Sequence, residues 1–210
     1  MTTNILRRYT SIPCLLELLQ NKKITFLDPE TWDDENDRYY LKKYKDYRKL
    51  ASVLVLCFTI KEGTYHHWKI YSAGSSGVCI RFDKKLLLSY FQKEPGIHIR
   101  KNVVKYPKQN TIKYFKKNEL PFRKRFAFTD ELEYHIICEC ETAKIKQKSF
   151  NINISCIKKI VLNPWMSKNV AISIKNTILN IKGCKSLKNK ITFSNIINST
   201  TWKKYADNAI

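Results

Sequence analysis

Residues 123–141 read RKRFAFTDELEYHIICECE, and the fold hinges on this stretch. Its second half, EYHIICE, is apolar and free of Gly and Pro, which predicts a strand; the preceding residues predict a turn. Side chains on a strand alternate between faces. Tyr134, Ile136 and Cys138 therefore share one face, and Glu133, His135 and Ile137 the other. Glu131 and Glu133 stand two apart and project together if the strand already includes residue 131. A carboxylate on a partly apolar face is a carboxylate whose pKa can shift. Two on one face suit general acid/base work, metal binding or stabilisation of an oxocarbenium ion; the plainer alternative is an exposed strand edge paired with Lys. Glu139 and Glu141 read as surface charges at the strand end.

Residues 130–141 hold five carboxylates in a chain whose formal charge is +21. A second window, LDPETWDDEND at 27–37, holds six more, so 11 of the 18 acids lie in two short stretches. Clustered carboxylates repel, and their persistence points to a task. The second window is expected to cap a helix through Asp33 or Asp34.

Further out, SVLVLCFTI at 52–60 is continuously apolar and predicts a strand buried on both faces. LRRYTS, KITFLDP, GVCIRFD, IHIRKNVVKYP, the FNINISCIKKIVLNP region and KITFSNII predict other strands. IPCLLELLQNKK predicts a helix with Ser11 as N-cap. TYHHWKIYSAGSS predicts a short helix stopping at Gly74, KKLLLSYFQ another, and NVAISIKNTILNIKG an amphipathic helix closed by Gly183. DRYYLKKYKDYRKLA alternates charged and aromatic residues and reads as helix or loop; QNTIKYFKKNELPF reads as polar helix or loose chain. The fold class is α+β, too irregular for a doubly wound sheet.

At 210 residues a single domain is expected, with a helix-rich half over about 1–100 and a strand-rich basic half over about 101–210. No run of about 18 apolar residues predicts a membrane helix. The N-terminus lacks the features of a signal peptide, and none of the seven cysteines forms a CxxC pair. The expected setting is the cytoplasm, with thiols acting as small hydrophobes and no metal site. Of the 39 basic residues 31 are Lys, in a chain rich in Ile and Asn, so part of the charge reflects an AT-rich coding bias. Residues 142–210 still carry 13 Lys against one acid, Asp207. Such a surface attracts polyanions by counterion release.

His66, His67, Trp68 and Tyr71 cluster ahead of a Gly-bounded strand, with His67 and Tyr71 one helical turn apart. They suit holding a planar ring, or core packing. Arg8, at the end of a short strand, suits bidentate recognition of phosphate or carboxylate. Paired acids with a Lys also loosely fit a metal-dependent nuclease, although the spacing is poor.

Taken in order, RRYTS, KITFLDPETWDDENDRYY, LVLCFT, TYHHWKIYSAGSSGVCIRF, VVKY, LPFRKRFAFTDELEYHII and IKKIVLNPW resemble the bacterial and phage family known as domain of unknown function 2971. The resemblance runs from about residue 5 to residue 203. That family looks like a divergent branch of the ADP-ribosyltransferases, which implies a split two-sheet α+β core with NAD as substrate in its cleft. The resemblance implies a first-strand cation at Arg8 followed by Tyr9, and cofactor contacts from His67, Trp68 and Tyr71 in a second block that also holds Gly77. It implies Glu133 as the catalytic carboxylate, with Glu131 as the second acid of an E-x-E pair. Where relatives carry Arg, this chain has His135, which binds a phosphate only when protonated. The expected function is NAD-dependent ADP-ribosyl transfer in a toxin, phage-defence or phage–host conflict system, onto a nucleic-acid or protein acceptor. A non-enzymatic nucleic-acid-binding module is the alternative.

Overall fold

The computed structural model describes residues 4–72, 74–92, 94–108 and 115–207. It mixes α and β structure, with a large, mostly antiparallel sheet and several helices. The chain resolves into two compact units that interleave along the sequence. The first holds residues 1–7, 22–61 and 83–156; the second holds 8–21, 62–82 and 157–210. Strand β1 (Ile5–Ser11) crosses from one to the other.

In the first unit, β5 (Ile97–Val103), β6 (Glu133–Cys140) and β3 (Ser52–Thr59) lie side by side, followed by the start of β1. β2 (Lys23–Leu27) pairs with β3 and with β7 (Gln147–Asn151). All these pairings are antiparallel. The β3–β6 register runs unbroken from Ser52↔Cys140 to Thr59↔Glu133. With β3 and β5 on its two sides, β6 is interior, and all eight of its residues are buried.

Helix α2 (Glu35–Arg48) covers one face of β6. Asp34 is its N-cap and accepts from the Asn36 and Asp37 amides. Asp37, Leu41, Tyr44 and Arg48 follow at helical spacing. The first three are buried, with Leu41 and Tyr44 in a core with Val53, Val55, Phe122 and Ile137. Helix α4 (Lys84–Ser89), capped by Asp83, also belongs to this unit.

In the second unit, β4 (Gly77–Asp83) pairs antiparallel with β8 (Ile157–Leu162), which pairs in parallel with β9 (Ile191–Phe193). Its helices are α1 (Ile12–Asn21), α3 (Tyr65–Tyr71), α5 (Lys168–Asn180) and α6 (Thr200–Asp207). The expected strands and helices form with shifted ends: β6 runs on to Cys140, the FNINISCIKKIVLNP region divides into β7 and β8, and α3 and α5 stop at Tyr71 and Asn180, ahead of Gly74 and Gly183. The reading of QNTIKYFKKNELPF falls partly on residues 109–114, outside the described residues; its end, Lys117–Phe122, is a 3-10 turn. Among the described residues, no helix is long and apolar enough to cross a membrane.

Candidate functional site

The two acidic windows meet on one lysine. Lys124 Nζ lies 2.5 Å from Glu131 Oε2, 3.3 Å from Glu133 Oε2 and 3.3 Å from Asp37 Oδ2. All four side chains are nearly buried. β6 supplies Glu133, α2 supplies Asp37, and the 3-10 turn Phe126–Glu131 supplies Glu131. Sequence reasoning picked the two glutamates but missed Asp37 and Lys124. The RKR triplet was the visible signal, and its three cations diverge. Arg123 pairs with Glu119 at 2.8 Å, Lys124 with the three acids, and Arg125 with Asp34 at 3.5 Å.

Glu131 and Glu133 come together, but not by strand alternation. β6 starts only at Glu133, and Leu132 sits in the left-handed region at φ 41°. That conformation is rare for a bulky residue, and such residues gather at sites whose surroundings enforce them. Here Ile60 N donates to Leu132 O at 3.0 Å, and Thr59 Oγ1 to Glu131 O at 2.7 Å. The reversed residue swings the Glu131 carboxylate round to Lys124.

His135 lies beside Glu133 on the same face. Its Nδ1 is 2.8 Å from Pro121 O and its Nε2 is 3.3 Å from Glu133 Oε2. Both ring nitrogens face acceptors, which requires the doubly protonated imidazolium. Burial opposes that charge, but Cys57 and Glu133 outweigh it and raise the His135 pKa well above its ordinary value. Burial likewise opposes ionisation of Glu133, yet His135 and Lys124 hold its pKa well below the carboxylate range. For Asp37 burial wins over Lys124, and its pKa is raised. Three carboxylates, one ammonium and one imidazolium leave the centre with a formal charge of −1.

Cys57, Glu133 and His135 bring potential ligand atoms within 4.8 Å of one another. A metal there would need Nε2 of His135 to give up the proton it shares with Glu133. His135 is buried, so it does not offer the surface cation that an Arg at this position would.

A pocket of about 440 Å³ opens onto this centre, lined by Asn36, Asp37, Tyr40, Pro107, Phe115 and residues 123–127. Asp37 and Lys124 belong to its wall, so the cluster meets the pocket through them. Arg123, Arg125, Tyr40, Phe115 and Phe126 supply cations and rings around it.

The register also aligns Arg7 with Thr59 and Thr59 with Glu133, so Arg7 shares Glu133's row and face. Arg7 is buried and donates through Nη1 to Ile60 O at 3.2 Å. By alternation Arg8 faces the other way.

The other candidate residues, Arg8, Tyr9, His67, Trp68 and Tyr71, belong to the second unit. Tyr9 stacks on His67 with ring centroids 5.6 Å apart, and meets Trp68 edge-on at 5.1 Å. The His67 and Tyr71 rings are 6.0 Å apart. Thr64 Oγ1 sits 2.6 Å from His67 Nδ1 and fixes that ring. Trp68 is buried against Cys79 and Val161, so core packing accounts for much of its surface. Tyr9 and Trp68 also line a pocket of about 250 Å³ with Arg81, Lys159 and Thr192.

One expectation is overturned. Glu139 is not a surface charge: it is 1% exposed. β6 runs on to Cys140 between two neighbours, and α2 covers this end. Tyr44 Oη donates to Glu139 Oε1, and guanidinium nitrogens of Arg48 and Arg100 each lie 3.6 Å from the carboxylate. Glu141 is exposed, as expected, 3.0 Å from His98.

A family model described as "Protein of unknown function (DUF2971)" matches residues 67–154, a span that includes Lys124, Glu131, Glu133 and His135. Neither the curated proteins nor the solved structures give a significant match.

Proposed function

We propose, from the premise that residues 67–154 belong to that family, that the chain is an enzyme breaking the nicotinamide–ribose bond of NAD. The observation that carries this reading is the buried net-negative centre of Asp37, Glu131, Glu133, Lys124 and His135 beside a pocket rimmed by cations and aromatic rings. The family's likeness to ADP-ribosyltransferases, with a split two-sheet core, belongs to the same proposal.

Loss of nicotinamide takes the bonding electron pair with the leaving ring and leaves oxocarbenium character on the ribose. A fixed excess of negative charge in a water-poor site stabilises that charge as it develops. Glu133, held ionised by His135 and Lys124, contributes a permanent carboxylate, with Glu131 as its helper. Asp37 lines the pocket and has a raised pKa, which suits it to take the proton of the acceptor nucleophile. Arg123 and Arg125 suit the pyrophosphate, and Tyr40, Phe115 and Phe126 suit the rings. The resemblance also gives Arg8, Tyr9, His67, Trp68 and Tyr71 to the cofactor; Tyr9→Ala with a KM measurement for NAD tests that part separately. The acceptor, nucleic acid or protein, acts in toxin, defence or phage–host chemistry.

The test is release of nicotinamide from NAD in chelator-treated buffer. Wild type is expected to release it and Glu133→Gln to lose that release while remaining folded. Release at the wild-type rate by Glu133→Gln sinks the assignment. Three acids around a lysine also favour a second reading, a metal-dependent nuclease. Mg²⁺-dependent cleavage of nucleic acid without NAD, lost in Glu133→Gln, would decide for it.

A further inference from the structure

Helix α6 (Thr200–Asp207) is properly begun but has no buried face. Ser199 caps it, accepting from Trp202 N at 3.1 Å through Oγ and from Lys203 N at 3.0 Å through its carbonyl. None of its residues is buried. Trp202 is 75% exposed and Tyr205 68% exposed. A two-turn helix without a packed face is marginal in water, and an exposed pair of large rings marks a contact surface. The two rings lie one turn apart with centroids 6.1 Å apart, inclined at 72°. They therefore present two separate stacking faces rather than one flat wedge. Lys203 and Lys204 sit between them in sequence.

The charge of the chain leading up to this helix has one sign. Residues 157–210 contain ten Lys and one acid, Asp207. The exposed lysines are not confined to α6: Lys158 lies on β8, Lys168 begins α5, and Lys182, Lys185 and Lys188 follow it. A lipid surface would select cations flanking one continuous apolar stripe. Cations spread over several elements with isolated rings among them match a flexible chain that offers phosphates and bases alternately.

We infer that this part of the second unit binds single-stranded nucleic acid, with bases stacked on Trp202 and Tyr205 and phosphates held by Lys203, Lys204 and the exposed lysines of residues 157–188. This inference concerns the second unit alone and does not depend on NAD chemistry.

The experiment uses the full chain and a fluorescein-labelled oligothymidylate, read by anisotropy over a salt series, with anionic phospholipid vesicles as a parallel arm. Because the side chains of α6 are exposed, Trp202→Ala and the double variant Lys203→Ala/Lys204→Ala should keep the wild-type melting temperature. Wild type is expected to bind the oligonucleotide and quench Trp202 fluorescence. Trp202→Ala should weaken binding about tenfold, within the range that base–aromatic stacking contributes per base. The double lysine variant should reduce the slope of log K against log salt by about 1.4, two phosphate contacts at about 0.7 each on a single strand. The inference is overturned if no oligonucleotide binds, if Trp202→Ala binds as wild type does, or if the vesicles bind and the oligonucleotide does not.

Discussion

The two ends of β6 bury carboxylates in opposite electrostatic settings. At the Glu139 end, one acid is shared by the Tyr44 hydroxyl and the Arg48 and Arg100 guanidinium groups. Arg100 in turn donates to Tyr44 Oη and, through Nη2, to Asn118 O at 3.0 Å. Cations are in excess, and the cluster pins the end of α2 to the sheet. At the Glu133 end, three acids share Lys124 and His135, and negative charge is in excess. Both ends carry surplus charge beside a pocket, but of opposite sign. Negative surplus is what stabilisation of a cationic transition state requires. Between the two ends lie Leu41 and Ile137, an apolar layer that keeps the networks apart.

The comparison can be broken most forcefully at Lys124. Lys124→Met leaves three buried acids without their ammonium and should cost about 3–5 kcal/mol of unfolding free energy, measured by urea denaturation. Adding Glu131→Gln to it should recover part of that loss, because one repulsive charge goes with it. A Lys124→Met protein as stable as wild type would mean the Glu133 end is no network at all. Glu139→Gln should cost less, about 1–3 kcal/mol, because Arg48 and Arg100 are partly exposed and water takes up their charge.

The Glu133 end should also respond to pH. The raised pKa of His135 means that its contribution is fully present below its ordinary value of 6.5 and is lost as pH rises through its folded value. Glu133's depressed pKa acts in the opposite range: its contribution is present above 4.5 and fades as pH falls toward the folded value. Unfolding free energy should therefore decline on the alkaline side of pH 6.5, and His135→Gln should flatten that decline. An unchanged alkaline slope in His135→Gln would remove the imidazolium from the account. Smallest is the helix cap: Asp34→Ala should cost about 1 kcal/mol by thermal melting, since it frees the Asn36 and Asp37 amides at the start of α2.

Much of this contrast lay within reach of the sequence, and the missing part has physical reasons. The period of two along EYHIICE placed Glu133 and His135 on one face, and the acidic windows were visible as an excess against the basic background. Glu139's burial was not visible, because its cover comes from Tyr44 and Arg48, far away in the chain. α2 itself resisted reading: its inward face, Asp37, Leu41, Tyr44 and Arg48, mixes charge with apolar surface, which defeats hydrophobic periodicity. The meeting of Glu131 with Glu133 was anticipated, but through an extended strand. The left-handed Leu132 that achieves it has no glycine to announce it. α6 went unread because two turns give too short a window for a periodic signal.

The most direct test sets one end of β6 against the other in a single assay. Nicotinamide release from NAD is measured for wild type, Glu133→Gln and Glu139→Gln, each shown to be folded by circular dichroism. The account predicts release by wild type and Glu139→Gln and none by Glu133→Gln. Equal release by both variants, or none by wild type, would contradict it.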